Sequence, residues 1–188
     1  MDQSPDTDGS DPFELGSDPG WRPGDRDGRP DGLVALRFVF VLICGALLTV
    51  GVIVAAMAGQ VDRTGRPVSA WAAAAAIVVV GGLGLAGVRA APVRLDCADE
   101  LTLARSWRTR FFARAAAAEL PALAGFIGFS LTGAPALYPL GLTFTAVGLA
   151  YAGPLRATLI RDQEQLALQG CTIALVSALR RAVTRDTR

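Results

Sequence analysis

The stretch LPALAGFIGFSLTGAPALYPLGLTFTAVGLAYAGPL, residues 120–155, has 36 residues and no charged side chain. An α-helix rises about 1.5 Å per residue, so about 20 apolar residues cross a hydrocarbon core about 30 Å thick. The stretch is therefore too long for a single span. Gly133 and Pro135 offer a break, because Gly tolerates unusual backbone angles and Pro lacks the N–H that a helix interior needs. We expect a tight helical hairpin, with spans at about 111–132 and 135–155.

Two further blocks without charged residues precede this stretch, 38–58 and 68–88, each 21 residues long. Each block is long enough to cross a bilayer once. Together with the hairpin they predict an all-α membrane protein whose transmembrane domain, residues 32–155, contains four transmembrane helices. The first two spans are expected at about 33–58 and 68–88.

Residues 1–31 carry nine acidic residues and three arginines, a net charge of −6. A segment this polar cannot bury enough apolar surface to offset its ordering entropy, which predicts a disordered acidic tail. The segment does not look like a signal peptide, which begins with positive charge and continues directly into a short apolar stretch. No cleavage is therefore expected.

The C-terminal segment, residues 156–188, is predicted to contain an amphipathic helix followed by a tail. Its mostly apolar part has about 14 residues, about 21 Å as a helix, which is short for a span. We expect a cytoplasmic, interfacial helix with Leu168, Cys171, Leu175 and Leu179 on one face. A fifth span is the alternative, in which residues 165–179 dip into the membrane.

The arginines are distributed unevenly around the predicted spans. With four spans, the N-terminal flank, the second loop and the C-terminal segment share one side and hold 16 arginines, whereas the other side holds Arg63 and Arg66. Because cytoplasmic loops carry the excess of positive charge, both termini are predicted to be cytoplasmic. The 16 arginines are Arg22, Arg26, Arg29, Arg37, Arg89, Arg94, Arg105, Arg108, Arg110, Arg114, Arg156, Arg161, Arg180, Arg181, Arg185 and Arg188.

The residue types limit the chemistry. All 18 positive residues are Arg, and with Ala, Gly and Val abundant this is typical of a GC-rich bacterial genome, so the predicted location is a bacterial plasma membrane. The absence of His and Lys excludes Ser-His-Asp catalysis, His-bearing zinc sites and phosphate-binding loops that need Lys. Cys44, Cys97 and Cys171 lack C-x-x-C spacing, so neither a disulfide nor a metal site is expected. No cofactor is predicted, and the net charge of +1 does not favour nucleic-acid binding.

Glu119 is the one acidic residue inside a predicted span. An ionised carboxylate within a membrane costs about 2.5–3.5 kcal/mol on insertion scales, so it usually has a partner. Arg37 enters the first helix from the same side, which predicts an intramembrane Glu119–Arg37 ion pair. If the third span begins at Ala115, Glu119 is instead an interfacial residue that pairs with Arg114 or Arg37.

The segment AELPALAGFIGFSL, residues 118–131, resembles the carboxylate-bearing helix of the proton-carrying subunits of rotary ATPases. This resemblance implies that Glu119 is a proton-binding site. The chain departs from that family because it has four predicted spans instead of two, lacks the polar loop motif and places its Glu near the cytoplasmic end. As a whole, the chain resembles small bacterial membrane proteins with an acidic tail and a Glu-x-Pro helix, which implies an architecture and no activity.

A run of arginines and aromatic residues precedes the third span. Asp96 or Asp99 could cap a helix that begins near Glu100. Arg mixed with Trp beside a span is typical of an interfacial anchor, so lipid contact is predicted, and the alternative is that the arginines only fix the topology. The predicted lipid-contacting residues are Arg105, Trp107, Arg108, Arg110 and Arg114.

These observations favour a non-enzymatic membrane protein that acts through helix packing or partner binding. Its expected partners are the lipid bilayer and a second copy of the chain or another membrane protein. The alternative is a proton or ion pathway that uses Glu119. Against that alternative, the spans hold few further polar side chains that could act in series.

Overall fold

A computed structural model describes residues 32–60, 68–90 and 94–181, and among these residues the secondary structure is entirely helical. The predicted all-α class is thereby confirmed. The predicted disordered tail, residues 1–31, lies outside the described residues, as do Arg63 and Arg66. The helices are α1 (Gly32–Met57), α2 (Ala70–Ala90), α3 (Glu100–Thr132), α4 (Leu137–Ala152), α5 (Arg156–Leu168) and α6 (Leu175–Arg181).

Three of these helices are long and apolar enough to cross a membrane: α1 with 26 residues, α2 with 21 and α3 with 33. The fourth apolar helix, α4, is shorter, with 16 residues or about 24 Å. The predicted bounds of the first, second and fourth spans differ from the observed helices by a few residues. Membrane association of an apolar helical protein therefore follows from α1, α2 and α3.

Helices α2, α3 and α4 pack side by side in antiparallel order. Near one end, a Cβ added to Gly148 of α4 would lie 2.8 Å from the Ala118 Cβ of α3. Near the other end, a Cβ on Gly125 of α3 would lie 2.7 Å from the carbonyl oxygen of Leu137. Such close approach needs small residues, and small residues are what allow helices to associate in a membrane.

Pro121 shapes the contact between α2 and α3. Because Pro lacks an N–H, the carbonyl oxygen of Ala117 loses its usual helical donor. Gly84 of α2 lies directly against this oxygen, because a Cβ added to Gly84 would lie 2.8 Å from it. One residue further on, the N–H of Ala122 donates to Thr145 Oγ1 of α4 at 3.0 Å. The proline is therefore accommodated by close packing on one side and by a hydroxyl on the other.

Helix α1 runs beside α4 with few contacts. The Tyr138 hydroxyl donates to the carbonyl oxygen of Leu47 at 2.6 Å, and the Phe40 ring packs against Gly153. The Phe40 contact places the start of α1 next to the end of α4, and the Tyr138 bond places the middle of α1 next to the start of α4. Only 6% of the most apolar stretch of α1 is buried.

Helix α3 is longer than predicted, since it joins the third span to the short helix expected near Glu100. Asp99 caps its start by accepting from the N–H of Thr102 at 2.6 Å, which confirms one of the two predicted caps. Gly133 ends it with φ of 71°, and this confirms the predicted break. The helix measures about 50 Å, so it continues well beyond the apolar bundle.

The extended start of α3, residues 100–114, forms a second unit with α5 and α6, which we call the headpiece. Its buried residues come from all three of these helices and from the start of α1. The largest of them are Leu33, Leu103, Trp107, Phe111, Leu166, Leu175 and Leu179. Packing against α1 fixes the headpiece at one end of the bundle.

The prediction of one amphipathic helix with Leu168, Cys171, Leu175 and Leu179 on one face is wrong. The chain turns between α5 and α6 with Gly170 at φ of 80°, a left-handed conformation that suits Gly. As a result Leu168 is 89% exposed, whereas Leu175 and Leu179 are fully buried. The Gln163 side chain fixes this turn, because its Oε1 accepts from the Leu175 N–H at 2.7 Å.

Candidate functional site

The most concentrated polar chemistry of the described residues surrounds Asp162 of α5, which is 1% exposed. The Trp107 Nε1–H donates to its Oδ2 at 2.9 Å. Arg114 Nη1 lies 3.3 Å from the same oxygen, and Arg110 Nη2 lies 3.6 Å from Oδ1. The three α3 residues are spaced three and four apart, which places them on one face of the helix. Asp162 therefore joins α5 to this face.

The cluster holds more positive than negative charge. Burial lowers the pKa of Arg110, while the Asp162 carboxylate opposes that shift and the nearby Arg114 adds to it. Arg110 Nη2 also donates to Gln165 Oε1 at 3.1 Å. Within the described part of the chain, the buried Nε atoms of Arg108, Arg110 and Arg114 have no hydrogen-bond partner. Such a cluster is costly to disrupt, because each broken contact leaves a charge buried.

Chemically, this arrangement suits structure better than catalysis. Both oxygens of Asp162 already contact donors, so the carboxylate is engaged as an acceptor. The described side chains that bond to Asp162 are those of Trp107, Arg110 and Arg114, and none of them is acidic. A metal centre is also without support here, since residues 32–60, 68–90 and 94–181 contain no group of three metal-binding side chains.

The structure divides the five predicted lipid-contacting residues. Trp107, Arg110 and Arg114 are buried inside the headpiece, where their polar groups meet Asp162. These three therefore face protein. Arg105 is exposed and Arg108 is partly buried. Lipid contact by Arg105 and Arg108 stays a prediction.

The headpiece also contains a disulfide, and the prediction of unpaired cysteines is wrong here. Cys97, just before α3, is bonded to Cys171 in the turn before α6. Their Cα atoms are 6.0 Å apart, a usual distance for a disulfide. The two residues are separated by 74 positions and meet only because α6 folds back onto α3. Cys44, in α1, is free.

Arg37 and Glu119 both lie where α1 and α3 approach each other. Arg37 is buried and its Nε donates to the carbonyl oxygen of Pro154 at 3.3 Å, at the end of α4. Glu119 is partly buried on the membrane part of α3. The described residues show no ion pair between the two, so the Glu119–Arg37 pair stays a prediction.

Sequence reasoning missed Asp162 and the cysteine pair for the same reason. Both depend on contacts between residues 48 to 74 positions apart, which no local pattern reveals. One signal was available for Asp162. Residues 105–114 carry four arginines and no acidic residue, so their counter-charge had to come from another part of the chain.

No protein-family model, no curated protein and no solved structure was found to match this chain.

Proposed function

We propose that the chain is a multi-pass protein of the bacterial plasma membrane that acts through helix packing and partner binding, without catalysis. The observation that carries the membrane assignment is the exposure of α1. Its outward face presents large apolar side chains such as Phe38, Leu48 and Val52, all more than 60% exposed. Apolar surface of this extent is stable only against lipid or protein.

In this proposal α4 is the fourth span, despite its 16 residues. It packs along the membrane part of α3, with Gly148 near Ala118 and Leu137 near Gly125. Trp71 and Arg89, near the two ends of α2, are 18 residues apart, or about 27 Å, which matches the thickness of a hydrocarbon core. Trp71 is 87% exposed, as expected of an aromatic residue at a membrane interface.

The headpiece is the proposed partner-binding element. It is built from three helices joined by a buried charge cluster, so its surface is held in one arrangement. Several exposed arginines surround the headpiece and give this end of the protein a positive surface. They are Arg89, Arg94, Arg105, Arg156 and Arg161. Both chain termini and this surface are proposed to be cytoplasmic.

Purification tests this proposal. The full-length tagged chain should remain in membranes after an alkaline carbonate wash and should leave them only in detergent. In mild detergent it should carry a second copy or another membrane protein in near-stoichiometric amount. Asp162→Ala should remove this partner while the chain stays in the membrane. Release by carbonate, or purification as a single chain without a partner, would overturn the proposal.

The thiol state of Cys97 and Cys171 tests the orientation. Bacterial cytoplasm keeps most thiols reduced, so a cytoplasmic headpiece should hold two thiols in growing cells and form the disulfide on oxidation of isolated membranes. After rapid acid quenching, a maleimide gel-shift should count three thiols in cells and one, Cys44, after oxidation. Cys44→Ala should lower both counts by one. A single reactive cysteine in growing cells would place the headpiece outside the cytoplasm.

A proton or ion pathway through Glu119 is the second candidate function. The observation that favours it is that the Glu119 side chain forms no hydrogen bond or ion pair with any described residue, although Glu119 lies in the membrane part of α3. A protonatable carboxyl in this position should react with a hydrophobic carbodiimide at neutral pH and lose this reactivity at high pH. Glu119→Gln is the matched control. An unreactive Glu119 would favour a structural role.

A further inference from the structure

Two arginines from different helices meet at one tyrosine ring. The guanidinium carbon of Arg89, at the end of α2, lies 5.2 Å from the centre of the Tyr151 ring. The guanidinium carbon of Arg161, on α5, lies 5.7 Å from the same centre. These distances bring the two positive groups within about 11 Å of each other. We call Arg89, Tyr151 and Arg161 the arginine–tyrosine site.

The arginine–tyrosine site lacks a negative partner within the described part of the chain. Neither Arg89 nor Arg161 forms a salt bridge with a described acidic residue, and Asp162, next to Arg161, is occupied by Arg110 and Arg114. A cation over an aromatic ring gains about 0.5–1 kcal/mol at an exposed site, which does not replace a counter-charge. Two neighbouring guanidinium groups of this kind therefore suit an added anion.

The position of the site identifies the anion. Val88 and Ala152, neighbours of Arg89 and Tyr151 in the chain, are buried in the core of the bundle. Arg89 and Arg161 themselves are exposed. The site therefore lies at the edge of the apolar bundle, at the level where headgroups of a bilayer begin, and tyrosine is a common residue at this level.

We propose that the arginine–tyrosine site binds the phosphate group of an anionic phospholipid. The guanidinium groups of Arg89 and Arg161 donate in pairs to phosphate oxygens, and such charge-assisted bonds are among the strongest hydrogen bonds in proteins. The acyl chains of the lipid lie along the apolar surface of the bundle, which includes the part of α4 that precedes Tyr151. The inference rests on the proposed membrane location.

Lipid retention tests the inference. Full-length protein is purified in mild detergent from membranes that contain phosphatidylglycerol and phosphatidylethanolamine, and bound lipid is measured by native mass spectrometry. The wild type should retain one phosphatidylglycerol per chain. The double variant Arg89→Gln/Arg161→Gln should retain about tenfold less. Arg94→Gln/Arg156→Gln removes two exposed arginines from the same end and should retain the wild-type amount.

Two further variants keep the test decisive if the first does not fold. Arg89→Lys/Arg161→Lys preserves both charges but not the paired donors, and its retention should fall between the wild type and the Gln variant. Tyr151→Leu removes the ring that positions both groups and should lower retention as well. Equal retention by all variants, or retention lost equally in the Arg94/Arg156 control, would overturn the inference.

Separate outcomes distinguish the source of the anion and the failure of the broader proposal. Binding of inorganic phosphate to detergent-purified protein with the same dependence on Arg89 and Arg161, and without retained lipid, would overturn the assignment to a phospholipid. Release of the wild type by alkaline carbonate would overturn the membrane location instead. A chain that stays in the membrane but retains no anionic lipid contradicts only the arginine–tyrosine site.

Discussion

The apolar bundle and the headpiece are held together by different means, although α3 runs through both. In the bundle, Gly141 and Gly148 bring α4 against the backbone of α3, and large apolar side chains point outward. In the headpiece, Trp107 and Leu166 fill a core, and Asp162 is buried with arginines. The change occurs at about Ala115, where arginines end and small residues begin.

The difference is the one expected if lipid surrounds the bundle and water surrounds the headpiece, as proposed. Burial of large apolar side chains stabilises a fold in water at about 25 cal/mol per Å² but gives little advantage in lipid, which is itself apolar. Helices in lipid therefore associate through close backbone contact and a few hydrogen bonds. The headpiece packs as a water-soluble unit does, and the bundle packs as a membrane protein does. Substitutions that disrupt one of these means of packing should therefore differ in their effect on stability.

The largest effect is expected from Asp162→Ala. The substitution leaves Arg110 and Arg114 buried without their carboxylate, which should cost about 3–5 kcal/mol of headpiece stability. Thermal unfolding followed by the fluorescence of Trp107, with Trp21 and Trp71 replaced by Phe in every variant, measures this loss. Glu164→Ala removes an exposed acid two residues away and should change the midpoint little. Equal effects of the two substitutions would show that Asp162 does not hold the headpiece.

A smaller effect is expected from Gly141→Ala in the bundle. Its new Cβ would overlap the carbonyl oxygen of Pro121, a backbone atom that cannot rotate away. Overpacking of this kind costs about 1–3 kcal/mol. Gly82→Ala is the control, because no atom lies within 4 Å of its Cβ position. Unfolding in mixed micelles should show a loss for Gly141→Ala alone, and a neutral result there would contradict the close contact of α3 and α4.

The smallest effect is expected from Thr145→Val. The substitution removes the hydroxyl that accepts from the Ala122 N–H beside Pro121. Hydrogen bonds between membrane helices contribute about 0.6 kcal/mol on average, and a loss of that size is expected here. Thr143→Val is the control, since the Thr143 hydroxyl bonds within its own helix to Pro139. A loss above that of Gly141→Ala would mean that polar contacts dominate the bundle.

The sequence predicted the bundle better than the headpiece. Spans follow from composition alone, because about 20 successive apolar residues have few alternatives to crossing a membrane. Gly133 and Asp99 were also predictable, since helix ends need specific residue types. These features depend on neighbouring residues in the chain.

The headpiece depends on distant residues, and local reasoning failed there. A continuous helix over residues 165–179 was consistent with the apolar pattern, but Gln163 and Gly170 stabilise a turn instead. The burial of Trp107 and Arg114 depended on Asp162, which is 55 and 48 residues away. Arginines beside a span therefore need not face lipid.

The proposed topology has four helices that cross the membrane, with α4 as the short fourth span. Alkaline phosphatase, which is active only outside the cytoplasm, and GFP are fused separately after Gln60 and after Arg188. With four spans, phosphatase activity is expected after Gln60, and GFP fluorescence without phosphatase activity is expected after Arg188. The same readout at both positions would mean that an even number of helices crosses between them, as when α4 does not cross, and it would contradict the four-span topology.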